Sequence, residues 1–314
     1  MRCTTELRVT LVMALGYLLA TPAPALASRP AGDILDISPI APDIQQQIEQ
    51  ARTPAQIAPL LEHRSDAVQV AAVRRLKQMG SDEVTDLLVA RFWKEEPHSG
   101  TRLVPQGMRQ IVKNEIVEAL GEIGTERAKS ALLDILHRYV DRGPSIFPHI
   151  HYDAEYTGVV MEAIRALSRS LSDPKVYGII RDIALHGSER KFGWGMRQEA
   201  YKGLLAEEMR RQNVNTLPAR VGFLLERMTG AGAGHKHDWV EGKSGVKTLE
   251  ALKNGAIGQS LVSYGTAIVP LLHEELRVLP EGEKREGIED VIRSIEVRDR
   301  AARERAEAAR NEGK

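Results

Sequence analysis

Apolar residues recur along this chain at steps of three and four, which is the spacing of one face of an α-helix. Between Val68 and Met79 the apolar side chains fall on one face, while Gln69, Arg74 and Lys77 fall on the other. No stretch of comparable length alternates apolar and polar residues with enrichment in β-branched side chains, as a strand would. The pattern therefore predicts an all-α fold.

One phrase repeats: an apolar helical stretch, a break at a small residue, a helix start signal and a second apolar stretch. It occurs at Val73–Phe92, Val117–Leu136, Ile164–Ile183 and Leu261–Leu276. The breaks at Gly80 and Gly124 are 44 positions apart, and Leu171 follows 47 positions later, a period typical of stacked helix pairs. Because one pair cannot bury both of its apolar faces alone, neighbouring pairs must stack, and we predict an α-solenoid of antiparallel helix pairs.

The turns within the pairs contain residues that end one helix and begin the next. Gly80 and Gly124 suit the left-handed conformation that ends a helix. Ser81, Thr125 and Asp173 offer side-chain oxygens to the free backbone N–H groups of the following helix. These turns are therefore predicted to be tight αα-hairpins.

Two of the phrases carry a family resemblance. ALGEIGTERAKSALLDIL, at Ala119–Leu136, and SYGTAIVPLLHEEL, at Ser263–Leu276, resemble HEAT-like repeats of the phycobilin-lyase type, which occur in bacterial proteins. The resemblance covers roughly residues 66–277. It implies a stacked helical scaffold, and it leaves open the minority role of such proteins in binding cofactors or metals.

The first residues have the organisation of a secretory signal. Arg2 and Arg8 accompany an apolar run at Leu11–Ala20, and Ala25-Leu26-Ala27 has the small-x-small pattern that signal peptidase accepts. The run is about half of the roughly 20 residues that a membrane anchor needs. We therefore expect a cleaved signal peptide and an exported protein, periplasmic or secreted, with no membrane span after cleavage.

Four segments are predicted along the chain. They are a signal peptide at residues 1–27, a flexible N-terminal segment at 28–42, the HEAT-like α-solenoid at 43–297 and a charged C-terminal tail at 298–314. Short helices near the start of the solenoid are expected to cap the open end of its core. The tail places mostly alanine between its charges, a composition typical of a charged helix or of disorder.

Composition narrows the class of function. The single cysteine, Cys3, lies in the predicted signal peptide, so the mature chain would have no thiol for a disulfide, a metal ligand or a nucleophile. The 43 basic and 43 acidic residues balance, and we predict no nucleic-acid partner. The sequence also has no Gly-x-Ser-x-Gly elbow and no complete phosphate-binding loop. We therefore predict a non-catalytic protein without a cofactor.

The connections between helix pairs are long. They span residues 95–106, 142–158, 187–195 and 229–245, and all four leave from one edge if successive helices alternate in direction. They hold a large part of the aromatic residues of a chain that is only 4% aromatic. Exposed aromatics on a rigid frame are typical of binding surfaces. We predict a scaffold that binds or assembles protein partners of the cell envelope through Tyr152, Tyr156, Phe192, Trp194 and Trp239. The alternative is that these side chains fold back over the ends of the helix layers.

Two of the connections contain His-x-His followed by an acidic residue. The side chains concerned are His149, His151, Asp153, His235, His237 and Asp238. Three nitrogen or oxygen donors with an open position are the composition of a zinc or iron site that activates water. His-x-His is a weak pattern, because a loop leaves its geometry open and exposed histidines are the default. A metal-binding protein or metal-dependent enzyme is therefore the second prediction.

Overall fold

A computed structural model describes residues 40–94, 106–142, 154–187, 192–230 and 249–312, and within these ranges the chain forms helices and no strand. The α-helices are α1 Pro42–Gln50, α2 Pro54–Ile57, α3 Asp66–Met79, α4 Asp82–Trp93, α5 Gln106–Ile123, α6 Glu126–Arg142, α7 Ala154–Ser168, α8 Pro174–His186, α9 Trp194–Arg211, α10 Leu217–Arg227, α11 Leu249–Ser263, α12 Val269–Val278 and α13 Glu283–Glu312. A 3₁₀ turn at Ala58–Glu62 extends α2, and another at Gly265–Ile268 leads into α12. The predicted all-α fold is confirmed.

The helices stack in two layers. The first helices of successive pairs contact one another in the order α3, α5, α7, α9, α11 and α13, and the second helices pack against them. Ion pairs give the direction: Arg74 Nε lies 2.9 Å from Glu115 Oε1, and Lys77, one turn later in α3, pairs with Glu122, nearly two turns later in α5. The first helices α3 and α5 are therefore parallel, and the described chain is the predicted α-solenoid.

The turns within pairs have the predicted local structure. Gly80 and Gly124 have φ of 49° and 63°, the left-handed region that glycine enters without steric cost. Ser81 Oγ accepts a hydrogen bond from the Val84 amide at 3.2 Å, and Asp173 Oδ1 accepts one from the Lys175 amide at 2.8 Å. These side chains satisfy amides that would otherwise lack partners at the start of each second helix.

Apolar side chains form two clusters along the solenoid. The first extends from Ile48 to Ala200, and the second from Leu205 to Ile295. Leu132 and Leu167, which belong to the first cluster, are 1% and 0% exposed. The apolar stripes predicted from spacing are thus the faces that stack.

Small residues allow the first helices to approach closely. A Cβ atom added to Gly121 in α5 would lie 2.6 Å from the Cβ of Ala166 in α7, and one added to Gly203 in α9 would lie 2.7 Å from the Cβ of Ser168. Real Cβ atoms do not come so close, so these two glycines set the spacing of α5, α7 and α9.

Three details differ from the sequence predictions. The second and third connections are shorter than predicted, because α7 already begins at Ala154 and α9 at Trp194. Gly158 and Gly195, the predicted ends of these connections, lie inside the helices, where glycine is tolerated at a cost of about 1 kcal/mol. Gln69, expected on a polar face, is buried, where its amide nitrogen donates to the His63 carbonyl at 2.6 Å.

The predicted charged tail is helical as far as Glu312, as part of α13. The predicted signal peptide and residues 28–39 lie outside the described residues. In the part of the chain that is described, no single helix could span a membrane, and one bent pair, Leu249–Ser263 with Gly265–Val278, satisfies the requirements of length and composition with a bend of 107°.

Candidate functional site

The long connections all leave from one edge of the solenoid. Here α4, α6, α8 and α10 end and α5, α7, α9 and α11 begin, and we call it the loop edge. The short turns within pairs form the opposite turn edge. The helices of a pair are antiparallel, and the first helices contact one another in chain order. The four long connections therefore lie on one edge, as predicted.

Three aromatic side chains lie together where the first two long connections begin. Phe92 and Trp93 end α4, and Tyr139 lies in the last turns of α6. The ring centroids are 4.9 Å apart for Phe92 and Trp93, 5.9 Å for Phe92 and Tyr139, and 6.2 Å for Trp93 and Tyr139. We call these three residues the aromatic cluster. Contacts of this kind add about 0.5–1.5 kcal/mol each to area burial, so the cluster holds the ends of α4 and α6 in place.

Two cations contact the aromatic cluster. The Lys113 ammonium, in α5, lies 5.7 Å from the centroid of Phe92 and donates to Tyr139 Oη at 3.4 Å. The Arg138 guanidinium lies 4.9 Å from the Trp93 ring, and its Nε donates to Asp134 Oδ1 at 3.0 Å. The Arg138 side chain is 57% exposed, so the cluster presents an oriented cation to solvent at the loop edge. Such a group is suited to a carboxylate or carbonyl of a partner.

The aromatic cluster was not among the residues predicted from the sequence. The prediction considered aromatics within the connections, whereas Trp93 and Tyr139 lie on the helices just before them. The sequence feature that indicates this cluster is the pair of adjacent aromatic residues, Phe92 and Trp93, immediately before a long connection. The contact of this pair with Tyr139, 46 positions away, depends on how α4 and α6 stack.

The third connection begins and ends on packed residues. Phe192 is half-buried against the first apolar cluster, and a Cβ added to Gly187 would lie 3.2 Å from its Cδ2 atom. Trp194 is half-buried as the first residue of α9. The packing of Phe192 agrees with the alternative that aromatics fold back over the helix layers.

Hydrogen bonds hold the start of the fourth connection. The Thr229 amide donates to Asn254 Oδ1 at 3.1 Å, and Thr229 Oγ1 donates to Glu250 Oε1 at 2.7 Å. Asn254 is only 3% exposed, so its side chain is fixed by its surroundings. This connection therefore leaves from a rigid base on α11.

Charges on the exposed side of the first-helix layer pair with one another. Arg74 forms two hydrogen bonds with Glu115, at 2.9 and 3.0 Å, which raise the pKa of Arg74. In the same way, Arg165 Nε lies 2.9 Å from Glu199 Oε1 across α7 and α9. These pairs join neighbouring repeats, so this surface is largely neutralised by the protein itself.

A carboxyl group with a strongly lowered pKa lies near the turn edge. Glu207 is 7% exposed and accepts hydrogen bonds from Arg210 at 2.7 Å and from Arg211 at 2.8 Å. The hydrogen bonds from Arg210 and Arg211 lower the pKa of Glu207 to about 2. The Arg211 guanidinium also lies 4.8 Å from the Tyr177 ring in α8, so this group ties the end of α9 to α8.

Most of the predicted site residues fall outside the described structure. Tyr152 and Trp239 lie there, and Tyr156 is in the first turn of α7 with a side chain that is not described. The six predicted metal ligands, His149, His151, Asp153, His235, His237 and Asp238, also lie outside it. In the ranges that are described, no group of three or more His, Cys, Asp or Glu side chains could hold a metal ion. Both sets of predicted sites stay predictions.

The geometry defines a class of protein, an α-solenoid of stacked antiparallel helix pairs with parallel first helices. Residues 112–138, which contain most of the pair α5–α6 and its turn, match the model of the PBS lyase HEAT-like repeat family. Comparisons with curated proteins and with solved structures give no match. The match at residues 112–138 and the stacked helix pairs together support a HEAT-like repeat architecture.

Proposed function

We propose that this protein is an exported, non-catalytic scaffold that binds a protein partner of the cell envelope along its loop edge. The observation that carries the proposal is the aromatic cluster with its exposed Arg138 guanidinium at the base of two long connections. Phe92 and Tyr139 are buried and hold Trp93 and Arg138 in place. Partner-binding energy is commonly concentrated in tryptophan and arginine side chains that a rigid frame presents.

Two further observations support this edge as the binding surface. Residues near the ends of the connections are held by packing or hydrogen bonds, as at Phe192 and Thr229, which lowers the ordering cost that a partner must overcome. The exposed side of the first-helix layer, in contrast, has charges that already pair across repeats, as Arg74 does with Glu115. The loop edge, by comparison, presents the exposed Arg138 guanidinium over the Trp93 ring.

Export is the part of the proposal that rests on sequence alone. The arginines, apolar run and Ala25-Leu26-Ala27 pattern of the first 27 residues are typical of a cleaved signal. We expect the mature protein to begin at Ser28 and to fractionate outside the cytoplasm. N-terminal sequencing of the native protein measures this, and an intact N-terminus on a cytoplasmic product contradicts it.

The binding edge can be tested with two positions on one helix. Arg138 is near the end of α6 at the loop edge, and Arg127 is near its start at the turn edge. Both side chains are 57% exposed, and each pairs with one aspartate, Asp134 or Asp86. A photo-crosslinking residue is placed at each position in turn in producing cells. We expect one partner to crosslink from position 138 and not from 127, and equal yields from the two positions exclude the loop edge as the binding surface.

The partner found in this way then allows an affinity measurement. We expect Arg138→Ala to weaken binding by about 1–3 kcal/mol, as loss of an interface arginine does, and Arg127→Ala to leave it unchanged. The metal-binding alternative is a separate prediction, which metal analysis of the purified native protein tests.

A further inference from the structure

The last helix is longer than its packing requires. In α13, Ile288, Ile292 and Ile295 are 0%, 7% and 2% exposed, and they form the face that packs on the second apolar cluster. Beyond Ile295 the helix continues to Glu312. From Ala302 to Asn311 every residue is exposed. At about 1.5 Å per residue, residues 298–312 extend the helix by roughly 20 Å.

The spacing of the packed face continues along this extension. After Ile288, Ile292 and Ile295, the same alternating steps of four and three reach Asp299, Ala302, Ala306 and Ala309. These positions lie on one side of the helix. The extension therefore has a seam of alanines on the same side as the isoleucines that are buried against the protein.

Arginines border the alanine seam on both sides. Arg298 and Arg305 flank it on one side, and Arg303 and Arg310 on the other. We call the seam with these arginines the seam face. Of the remaining charged residues of 298–312, Glu312 lies on the same flank as Arg298 and Arg305, while Arg300, Glu304 and Glu307 lie on the rest of the helix. The seam face and its flanks thus have four arginines and two acidic residues, Asp299 and Glu312, and the rest has one arginine and two glutamates.

This separation of charge distinguishes the extension from an ordinary solvated helix. A solvated helix that is stabilised only by ion pairs between residues three and four apart gains from having both acidic and basic residues on every face. Here one pair, Arg303 with Asp299 at 2.6 Å, lies on the seam face, and an excess of arginine remains beside it. A face with this excess fits a partner of opposite charge.

The side chains of the seam favour a helix as the partner. Alanine lets two helix backbones approach closely, whereas its methyl groups offer little apolar area for a lipid surface, which favours tryptophan, phenylalanine and leucine. A second copy of this chain would place arginine against arginine at the flanking positions. Nucleic acid is disfavoured by the balanced net charge of the chain.

We propose that the seam face of α13 binds an acidic α-helix of a protein partner. Carboxylates on both sides of that helix pair with Arg298, Arg305, Arg303 and Arg310, and its small central residues pack on the alanines. This surface is distinct from the loop edge, and neither proposal depends on the other.

The test uses two helical peptides of about three heptads each. Both have alanine at the central positions, and the flanking positions are glutamate in one and lysine in the other. Fluorescence anisotropy measures their binding to the full mature protein at low ionic strength. We expect the glutamate peptide to bind at least about tenfold more tightly than the lysine peptide.

Two double variants with the same change in charge localise the site. Arg303→Glu with Arg310→Glu alters the seam face, while Arg293→Glu with Arg300→Glu alters the other side of α13. We expect the Arg303→Glu, Arg310→Glu variant to lose the preference for the glutamate peptide and to bind the lysine peptide more tightly than the wild type does. Misfolding would not produce this gain in binding. The second pair should keep the original preference. Circular dichroism confirms that both variants stay helical.

Vesicles of anionic lipid and a DNA duplex are tested in parallel. The proposal is overturned if the glutamate peptide does not bind, if both peptides bind equally, or if both double variants behave alike. Binding to vesicles or DNA alone also overturns it, because the seam face would then recognise a charged surface rather than a helix.

Discussion

The two edges of the solenoid are built in different ways. The turn edge consists of short breaks such as Gly80–Ser81, where one glycine ends a helix and one hydroxyl begins the next. The loop edge has long connections whose bases are held by side chains from different helices, as in the aromatic cluster. Local sequence thus specifies the turn edge, whereas contacts between different helices build the loop edge. In a repeat protein, this division lets the connections change without altering the frame.

The largest effect is expected where a substitution disrupts the frame that both edges share. Leu167→Ala removes a side chain that is 0% exposed, and we expect it to lower the free energy of unfolding by about 2–5 kcal/mol. Ser130→Ala, on an exposed position of α6, should change it by less than about 0.5 kcal/mol. Denaturant unfolding measures both. Similar small effects at both positions would show that the helix faces are assigned wrongly.

A smaller effect is expected from overpacking the first-helix layer. A Cβ at Gly121 would lie 2.6 Å from that of Ala166, so Gly121→Ala should destabilise the protein by about 1–3 kcal/mol. Gly178, in α8, has no atom within 4 Å of the same position. Gly178→Ala should therefore stabilise the protein by about 0.4–1 kcal/mol. Opposite signs in thermal unfolding support the close approach of α5 and α7, and equal signs contradict it.

The caps of the turn edge should each contribute less. Ser81→Ala removes the acceptor of the Val84 amide, and we expect a loss of about 1 kcal/mol. Ser81→Asp retains an acceptor and should be nearly neutral. If the alanine and aspartate variants unfold at the same denaturant concentration, the cap contributes nothing and the turn edge is held by packing alone.

The last effect, similar in size to that of a cap, concerns the pH dependence of stability. Glu207 has a pKa lowered to about 2 by Arg210 and Arg211, so its ionised form stabilises the folded state. That contribution is complete above the ordinary carboxyl pKa and disappears as the pH falls from about 5 towards 2. Because the two arginine side chains are 63% and 52% exposed, solvent screening limits the expected loss in Glu207→Gln to about 1 kcal/mol at pH 7.

Unfolding free energies at pH 7 and pH 3 measure this difference. It should shrink at the lower pH, and the exposed control Glu226→Gln should show little change at either pH. A difference between wild type and Glu207→Gln that grows on acidification contradicts the assignment.

The sequence was sufficient for the frame because its signals are local. Steps of three and four, glycines such as Gly124 and caps such as Asp173 each act within one or two turns of a helix. The aromatic cluster could not be predicted in this way, since Trp93 and Tyr139 meet only after α4 and α6 have stacked. Lys129 is a second case in which tertiary contacts decide the outcome. Helical spacing alone predicts that it lies on the exposed face of α6, but its side chain is 16% exposed and its ammonium lies 3.7 Å from Asp173 Oδ2.

The division of the core has a mechanical consequence. The first apolar cluster ends at Ala200 and the second begins at Leu205, so both include parts of α9. The solenoid therefore has two sections that share α9. Under a stretching force applied at its two ends, each repeat transmits load only to its neighbours. We therefore expect the protein to extend in two steps under force, with the two sections separating at α9.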